Sequence, residues 1–286
     1  MEPNTNSMKK LGRGSYGNVY GDGNLAWKRF DNSYDDSGIR TAVIREMASL
    51  SLLKGQPYIC KPISYFLGDY FIYSSMEKYK IDLLVYTRRL RINNNINYWR
   101  DKSNMRKFLH QILTAMACME KYNIVHRDLK HRNIFVDKFD NFYLGDFGLA
   151  HPIIVNSQIQ LSGNVQTVTY RASELILGNR VYNIKIDMWS LAILVYELVN
   201  GNYVTQYDIK TILQKTFNLL GVHPMLEEKY HKSFTFDTVP FKNIYPGMSD
   251  EFLSLMENIY TYDLDKRFKP SEALNHPYFH LVSKKK

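Results

Sequence analysis

Residues 125–133 read VHRDLKHRN, and residues 133–148 continue as NIFVDKFDNFYLGDFG. The second stretch predicts two short strands joined by an Asp-Asn turn, a pattern typical of a β-hairpin. A hairpin of this length would bring Asp146 back to the neighbourhood of Asn133. Their carboxylate and amide oxygens are the hard ligands that Mg²⁺ prefers, and Mg²⁺ takes few protein ligands when it also bridges phosphates. Two positions far apart in the sequence are therefore predicted to meet around one cation.

The other charged residues of the first stretch suit the transfer of a phosphoryl group. With Asn133 and Asp146 assigned to a cation, Asp128 is left to accept a proton from an attacking hydroxyl group. Lys130 can neutralise the charge of the transferring phosphoryl group. Positioning and charge compensation are most of what phosphoryl transfer requires. The stretch is therefore predicted to be a catalytic centre rather than an accidental charged loop.

A glycine-rich stretch at 11–20, LGRGSYGNVY, has the spacing G-x-G-x-x-G. Such glycines serve ordinary turns as well as phosphate binding, and in a dinucleotide site they would open a helix after a strand. Here strand-like residues and then Lys28 follow, which favours a glycine-rich hairpin over phosphates, with the lysine contacting the α- and β-phosphates. Glu46, on the predicted helix 41–54, is the expected anionic partner of Lys28.

The composition is that of a folded globular protein with 286 residues and 45% hydrophobic content. No run approaches the ~20 apolar residues of a membrane span, and the first ten residues lack the apolar core of a secretory signal. The two cysteines, Cys60 and Cys118, cannot form a disulfide framework and lack zinc spacing. These observations favour a reduced intracellular protein, cytoplasmic or nuclear.

The net charge of +9 favours anionic partners. Nucleotide, nucleic acid and an acidic protein surface are the three classes to consider. A nucleic-acid-binding protein would need aromatic residues interleaved with basic ones on one face, or a known module. The sequence contains neither, so we expect no direct binding to nucleic acid or to a membrane.

The chain changes character at about residue 80. Before it, short apolar runs with Gly-Asp-Gly-Asn turn chemistry predict β-strands, interrupted by the single helix at 41–54. After it, the apolar spacing predicts long helices at 105–122 and 186–201, and another at 249–260 with Ser249 as N-cap. The sequence therefore predicts a small β-rich lobe, a larger helical lobe and a cleft between them.

Together these motifs resemble those of the eukaryotic protein kinase family, whose signature set is a Gly-rich loop, a strand lysine, a helix glutamate, HRDLKxxN and DFG. The resemblance implies an α+β, bilobal protein kinase fold, in which a small β-rich N-lobe contains one regulatory helix and the larger C-lobe is mainly helical. The implied boundaries are a kinase domain at 8–281, an N-lobe at 8–76, a hinge at 77–79, a C-lobe at 80–281, and short tails at 1–7 and 282–286.

Within the family, the chain looks most similar to the cyclin-dependent kinase (CMGC) branch. The similar segments are GIRTAVIRE at 38–46, TVTYRASELILG at 167–178 and FNLLGVHP at 217–224. This resemblance implies a serine/threonine kinase acting on a protein substrate, with proline-directed specificity as a further expectation. It also implies a cyclin-like activator that docks on the helix at 38–50.

The family resemblance also implies roles for individual residues, with ATP and Mg²⁺ as cofactors. Mg²⁺ would be held by Asn133 and Asp146, and Met76 would be the gatekeeper beside the hinge. The residues implied to be catalytic are Asp128, Lys130, Asn133 and Lys28. The residues implied to line the nucleotide pocket are Leu11, Gly12, Arg13, Gly14, Ser15, Tyr16, Gly17, Val19, Ala26, Lys28, Glu46, Met76, Glu77, Tyr79 and Phe135, with Lys78 completing the hinge.

Regulation in this family often uses a phosphorylated residue that three arginines hold. Here the counterpart of the phosphorylated residue is Ser162. Arg45 and Arg127 stand at two of the arginine positions, and His151 stands at the third. A histidine is only partly charged near neutrality, which predicts a weaker and pH-dependent clamp.

Residues near the substrate are implied as well. Thr167 would meet Asp128 and Lys130 beside the substrate hydroxyl. Proline preference would require Arg171 to hold the backbone carbonyl of a strained residue before Thr167. That residue is Gln166, for which a positive φ is uncommon.

The remaining assignments are structural. Asp187 should hold the backbone of the catalytic loop, and Glu174 should form a buried bridge with Arg267. Ser173 and His131 replace two prolines that are usual in the family, and neither is assigned any phosphate chemistry.

An alternative class is a pseudokinase that keeps the fold without phosphoryl transfer. Such a chain should have lost Lys28, Asp128 or Asp146. All three are present, which favours an active enzyme.

Overall fold

The computed structural model describes residues 3, 5, 7–14, 17–31, 33–35, 38–153, 160–201, 211, 216–217, 220–221 and 240–280, with the backbone alone at 13, 14 and 35. The first lobe contains strands β1 Lys9–Gly14, β2 Gly17–Asp22, β3 Leu25–Phe30, β4 Tyr34–Asp35, β5 Gly38–Ile39, β6 Pro62–Leu67 and β7 Ile72–Glu77.

Five of these strands form an antiparallel sheet in the order β1-β2-β3-β7-β6. The turn between β2 and β3 contains Gly23 at φ 54°, a left-handed conformation that glycine adopts without strain. Along β3, Ala26, Lys28 and Phe30 are buried, while the alternate residues are half-buried. This period of two turns the side chain of Lys28 toward the interior of the lobe.

Helix α1, Thr41–Leu52, packs beside this sheet. Its buried Val43 belongs to a small hydrophobic cluster with Ile72. Ser33 ties the chain that precedes the helix, because its carbonyl accepts a hydrogen bond from the backbone N–H of Arg40 at 2.9 Å. The Ser33 hydroxyl accepts from the N–H of Ile72 at 2.9 Å. These two bonds fix the start of α1 relative to the sheet.

The second lobe contains the other described helices and short strands. The helices are α2 Leu83–Ile92, α3 Lys102–Lys121, α4 Ser173–Ile176, α5 Lys185–Asn200, α6 Phe241–Ile244, α7 Asp250–Ile259, α8 Pro270–Leu274 and α9 Pro277–His280. The strands are β8 Ile81–Asp82, β9 Ile124–Val125, β10 Ile134–Val136, β11 Phe142–Leu144 and β12 His151–Pro152.

Helix α5 lies in the centre of this lobe and is buried along almost its whole length. It ends at Gly201, whose φ of 71° is left-handed and closes the helix as the Asn-Gly pair predicts. Besides apolar residues, α5 carries Asp187, Ser190 and Glu197, each with 0% exposure. Buried polar groups of this kind need hydrogen-bond partners, which here come from the segments that line the cleft.

The predicted helices in the second lobe are confirmed, with one shifted boundary. Ser249 caps α7 by accepting from the N–H of Phe252 at 3.3 Å. Helix α3 begins three residues before the predicted start at Met105, because the carboxylate of Asp101 accepts from two backbone N–H groups of its first turn. The sheet-rich first part and the helical second part confirm the bilobal α+β architecture. Among the described residues, no helix combines the length and apolar character needed to cross a bilayer.

Candidate active site

Three distant segments meet at Lys28 in the cleft. The Nζ atom of Lys28 donates to both carboxylate oxygens of Glu46 on α1, at 2.6 and 2.8 Å. It also donates to Oδ1 of Asp146 at 2.9 Å. Lys28 and Glu46 are buried, with exposures of 3% and 1%. The predicted pair of Lys28 and Glu46 is therefore present within this single chain, and Asp146 joins it.

The charges in this cluster stabilise one another. Burial by itself would lower the pKa of Lys28, but the carboxylates of Asp146 and Glu46 raise it above its ordinary value. Burial would likewise raise the pKa of Asp146, yet the charge and hydrogen bond of Lys28 lower it to about 2. Near neutrality Lys28 is therefore a cation and Asp146 an anion.

Asp146 reaches this cluster through the predicted hairpin. Strands β10 and β11 pair antiparallel, and the N–H of Gly145 donates to the carbonyl of Asn133 at 2.9 Å. Gly145 has no room for a side chain, because a Cβ there would lie 2.7 Å from Sγ of Cys60 and 2.9 Å from the ring of Phe135. Asp146 itself has a φ of 55°. The close packing at Gly145 therefore sets the position from which Asp146 projects.

The catalytic loop gathers its polar residues around Asp128, which is 4% exposed. Oδ1 of Asp128 accepts from the hydroxyl of Thr167 at 2.7 Å. Oδ2 accepts from Nζ of Lys130 at 2.7 Å, and Lys130 also donates to the Thr167 hydroxyl at 3.1 Å. A protein hydroxyl thus already occupies a position from which it donates to this carboxylate.

Asn133 presents its oxygen rather than its nitrogen to the cleft. Its Nδ2 donates to the backbone carbonyl of Asp128 at 2.7 Å and to the carboxylate of the same residue at 3.0 Å. The amide oxygen is therefore the atom left to act as a ligand. Together with the ionised carboxylate of Asp146 it forms a hard, oxygen-only donor set that fits Mg²⁺.

The backbone of the catalytic loop rests on α5. The carboxylate of Asp187 accepts from the N–H groups of His126 at 2.7 Å and Arg127 at 2.9 Å, as predicted. Arg127 has a φ of 64°, which is strained for a side chain of this size. The two hydrogen bonds from Asp187 help to hold that conformation.

A cavity of about 470 Å³ lies in the cleft above these residues, a volume typical of small-ligand sites. Most of the predicted nucleotide residues line it, namely Leu11, Gly12, Val19, Ala26, Lys28, Glu46, Met76, Glu77, Lys78, Tyr79 and Phe135. Sequence reasoning missed Leu50, Cys60, Pro62, Lys80, Ile81, Asp82, Val85 and Arg132. Of these, only the residues directly after the hinge could have been found from their position.

The predicted glycine-rich residues are only partly placed at the cavity. Gly17 packs against the neighbouring strand and is not among the residues that line the cavity, so its role in nucleotide binding stays a prediction. A Cβ at Gly17 would lie 1.8 Å from the carbonyl oxygen of Arg29, so glycine is needed there for strand pairing. Ser15 and Tyr16 lie outside the described residues, and Arg13 and Gly14 are described only as the backbone that ends β1.

The hinge leaves one backbone donor for a ligand. The N–H groups of residues 77, 78 and 80 donate to backbone carbonyls elsewhere in the chain. The N–H of Tyr79 has no such acceptor among the described residues. Its ring packs beside Phe135, with 5.9 Å between the ring centroids. A planar heterocycle in the cavity could therefore accept from this N–H while apolar side chains cover its faces.

The segment after the catalytic loop has the strained residue that the proline prediction requires. Gln166 has a φ of 65°. The guanidinium of Arg171 donates to its carbonyl at 3.2 Å and to that of Val165 at 3.0 Å. The Gln166 side chain donates to the hydroxyl of Ser190 at 2.9 Å and accepts from the N–H of Ala172 at 2.8 Å. The side chain of Gln166 thus anchors its own unusual backbone.

The candidate regulatory residues are only partly gathered. Burial lowers the pKa of His151, and the nearby charges of Arg127 and Arg45 lower it further, so these three residues share one neighbourhood. The hydroxyl of Tyr182 accepts from Arg127 at 3.2 Å and donates to the carbonyl of Ser162 at 2.8 Å. Ser162 itself is exposed. It is therefore linked to this cationic group through Tyr182.

His131 takes part in a buried network that the sequence did not predict. Its Nδ1 lies 2.8 Å from the hydroxyl of Tyr170, and that hydroxyl donates to Oε2 of Glu197 at 2.7 Å. Burial lowers the pKa of His131 to about 3, so its ring is neutral. The only hint in the sequence was a histidine at a position where proline is usual.

The predicted bridge between Glu174 and Arg267 is present. Two nitrogens of the Arg267 guanidinium donate to the two carboxylate oxygens of Glu174, at 2.7 and 3.1 Å. Arg267 is completely buried, and its guanidinium also lies over the ring of Trp189, 4.8 Å from the centroid. This bridge fastens α4, which follows Gln166 and Arg171 in the chain, to the segment between α7 and α8.

A comparison with known protein families finds a match over most of the chain. Residues 5–279 match the family model described as the protein kinase domain. The match covers nearly the whole chain and includes every residue of the site described above.

Proposed function

The chain belongs to the protein kinase family, and we propose that it transfers the γ-phosphoryl group of ATP to a serine or threonine hydroxyl of a protein substrate. The observation that carries this proposal is the convergence of two clusters on one cleft. One cluster joins Lys28, Glu46 and Asp146, and the other joins Asp128 to Lys130 and to a hydroxyl.

At the nucleotide end, Lys28 would bind the α- and β-phosphates while Glu46 keeps its side chain in place. The free N–H at the hinge would donate to the adenine ring. Asn133 and Asp146 would hold Mg²⁺ through the oxygens described above. Held there, Mg²⁺ would offset the negative charge of the phosphates.

At the substrate end, Asp128 would accept the proton of the attacking hydroxyl. The new bond forms between that oxygen and the γ-phosphorus, the bond from the γ-phosphorus to the bridging oxygen breaks, and ADP leaves with the electron pair. Lys130 would offset the charge on the transferring group. The contact of Thr167 with Asp128 and Lys130 supports a preference for serine and threonine, since it places a short hydroxyl at the proton acceptor.

Proline-directed specificity is the finer part of this proposal. A residue that follows the substrate serine or threonine has an N–H unless it is proline. Arg171 already occupies the carbonyl of Gln166, whose left-handed backbone turns it toward the guanidinium. A non-proline residue would then leave its N–H without that acceptor, which is costly when the group is buried. Proline has no N–H to lose.

A cyclin-like activator at α1 remains part of the proposal. Ile44 and Leu52 on this helix are large apolar residues, each 49% exposed, which suits contact with a partner. The pair of Lys28 and Glu46 is nevertheless already formed in the single chain. The activator would therefore stabilise an arrangement that the chain can reach alone.

The test is a labelling assay with the purified chain, γ-labelled ATP, Mg²⁺ and generic protein substrates. We expect label on serine and threonine, no label when Mg²⁺ is chelated, and no label with the Lys28→Met variant. A correctly folded chain that never transfers label, with or without a partner, would refute the proposal. Label on tyrosine would refute its serine/threonine part alone.

A further inference from the structure

His131 lies where the catalytic loop, residues 125–133, contacts residues 165–172, which form the proposed substrate segment. It is 3% exposed and opens the short helical turn His131–Asn133, directly after Lys130. Its Nδ1 is 2.8 Å from the hydroxyl of Tyr170 and 3.3 Å from Oε2 of Glu197 on α5. Tyr170 ends the helical turn that directly follows Thr167.

The hydrogen bonds in this group fix which atoms donate. The hydroxyl of Tyr170 has one proton, and it goes to the carboxylate of Glu197 at 2.7 Å. The contact between Tyr170 and His131 must then be donated by the ring, so Nδ1 carries a hydrogen. This assignment holds for either charge state of the ring, because Nδ1 is a donor in both. His131 is therefore a donor that points from the catalytic loop to the substrate segment.

The same tyrosine is held from its other end. Its backbone carbonyl accepts from the hydroxyl of Ser190 on α5 at 2.8 Å. Tyr170 is thus fixed by α5 at both its carbonyl and its hydroxyl, and His131 adds the catalytic loop to this group. Directly before His131 in the chain, Lys130 donates to the hydroxyl of Thr167. The catalytic loop and the substrate segment are therefore joined twice, once through Lys130 and once through His131.

We propose that His131 is a positioning residue, whose Nδ1–H bond to Tyr170 sets the distance between the catalytic loop and the substrate segment. The proline usual at this position has no side-chain donor and could not make this bond. The inference rests on the proposed kinase activity, because its effect is on the alignment of Asp128 with the substrate hydroxyl. A shift of this alignment by a fraction of an ångström is enough to slow transfer.

Two substitutions separate the donor from the packing. His131→Asn keeps an N–H at the position of Nδ1 but leaves unfilled space, whereas His131→Leu fills the space and has no donor. If His131 acts through its N–H donor, the His131→Asn variant should retain most of the activity. The His131→Leu variant should lose about tenfold in kcat/KM for a peptide, which corresponds to the net contribution of one hydrogen bond. The KM for ATP should change little in either variant. If His131 serves only to fill space, the order is reversed, and Leu is the better variant in both melting temperature and activity.

Tyr170→Phe provides the second half of the experiment. This variant also removes the bond from Tyr170 to Glu197, so it should lower kcat/KM for the peptide at least as much as His131→Leu. The double variant should lose no more than Tyr170→Phe alone, because the bond between the two residues is then already absent. Rates are divided by the fraction of chain that binds an ATP analogue, so that misfolded protein does not count. Losses that multiply in the double variant would overturn the proposal.

Hydrogen–deuterium exchange gives a readout that does not depend on catalysis. Exchange in the 165–172 segment should rise in His131→Leu and stay near the wild-type rate in His131→Asn. Equal exchange in the two variants would overturn the positioning role even if the chain proved inactive. A wild-type chain without phosphoryl transfer, but with this difference in exchange, would instead refute only the kinase proposal.

Discussion

At the nucleotide end of the cleft, Lys28 is held by ion pairs to Glu46 and Asp146, which come from α1 and from the second lobe. At the substrate end, the reacting segments rest on one buried helix, α5. Its Asp187 and Glu197 accept hydrogen bonds from the catalytic loop and the substrate segment. The first set of contacts crosses between separate parts of the fold, and the second lies within a single lobe.

This difference predicts that the ion pairs of Lys28 can be broken and formed again during regulation, whereas the contacts at the substrate end must persist for the lobe to stay folded. A movement of α1 would separate Lys28 from Glu46 and leave most of the core in place, because α1 contributes Val43 to a small cluster with the sheet and only Leu50 to the main hydrophobic core. The contacts beneath the substrate end are part of the main hydrophobic core, which includes most of α5. Damage there should reach the folding of the lobe itself.

The largest expected effect is a loss of stability, and it comes from a substitution among the buried contacts of the second lobe. Glu174→Ala leaves the buried guanidinium of Arg267 without its carboxylate, which should lower the free energy of unfolding by about 3–5 kcal/mol. Denaturant unfolding measures this change. The matched control is Lys266→Ala, which breaks the exposed ion pair with Asp263 but leaves the hydrogen bonds of Asp263 to the backbone, and it should leave the unfolding midpoint nearly unchanged. Equal midpoints for both variants would contradict the account.

A substitution at the Lys28 cluster should instead reduce activity more than stability. Glu46→Gln keeps the size of the side chain but loosens Lys28, so kcat/KM should fall about 100-fold through misplacement of the phosphates. The melting temperature should fall less than in Glu174→Ala, because Lys28 keeps its pair with Asp146. Glu257→Gln, at an exposed position of a helix in the second lobe, is the control. A large loss of stability with normal rates would reverse the comparison drawn above.

A smaller effect is expected on substrate specificity, because α5 anchors the side chain of Gln166. Gln166→Ala removes the anchor to Ser190 and keeps a side chain that resists positive φ, so the preference for proline over alanine after the substrate hydroxyl should fall about tenfold. Gln166→Gly tolerates the left-handed backbone and should keep more of the preference. Paired peptides measure the ratio. A wild-type enzyme that shows no proline preference would remove this part of the proposal.

The smallest effect concerns Ser162. Its link to Arg127 runs through Tyr182, and His151 lends little charge near neutrality because its pKa is lowered by burial and by the neighbouring arginines. The comparison is between the Ser162→Ala variant and wild-type protein that mass spectrometry shows to be phosphorylated at Ser162. We expect the variant to be only about threefold slower, since charge pairs at exposed sites are weak. Unchanged kinetics against fully phosphorylated protein would exclude the regulatory role.

The sequence predicted the elements that depend on local patterns. The hairpin that returns Asp146 to Asn133, the Ser249 cap and the stop at Gly201 each follow from short-range chemistry, and the structure contains all of them. The pair of Lys28 and Glu46 also followed, because a cleft lysine needs an anion.

What escaped prediction depends on contacts between distant residues without a periodic pattern. The network of His131 with Tyr170 forms across 39 positions of sequence, and neither residue type demands the other. The anchoring of Gln166 by its own side chain is similar, because its partners become visible only once α5 is in place. The close packing of Gly17 against Arg29 was also not predicted, because a glycine needed for strand pairing looks the same in sequence as one needed for phosphates.

The most direct measurement compares phosphoryl transfer by Asp128→Asn and Asp146→Asn with that of the wild-type chain under identical labelling conditions. Each substitution keeps the size of the side chain and removes one negative charge. Both variants should stay folded and lose at least about 100-fold in rate, one through the missing proton acceptor and the other through the missing metal ligand. A wild-type rate in either variant would show that the two aspartates do not form one phosphoryl-transfer site.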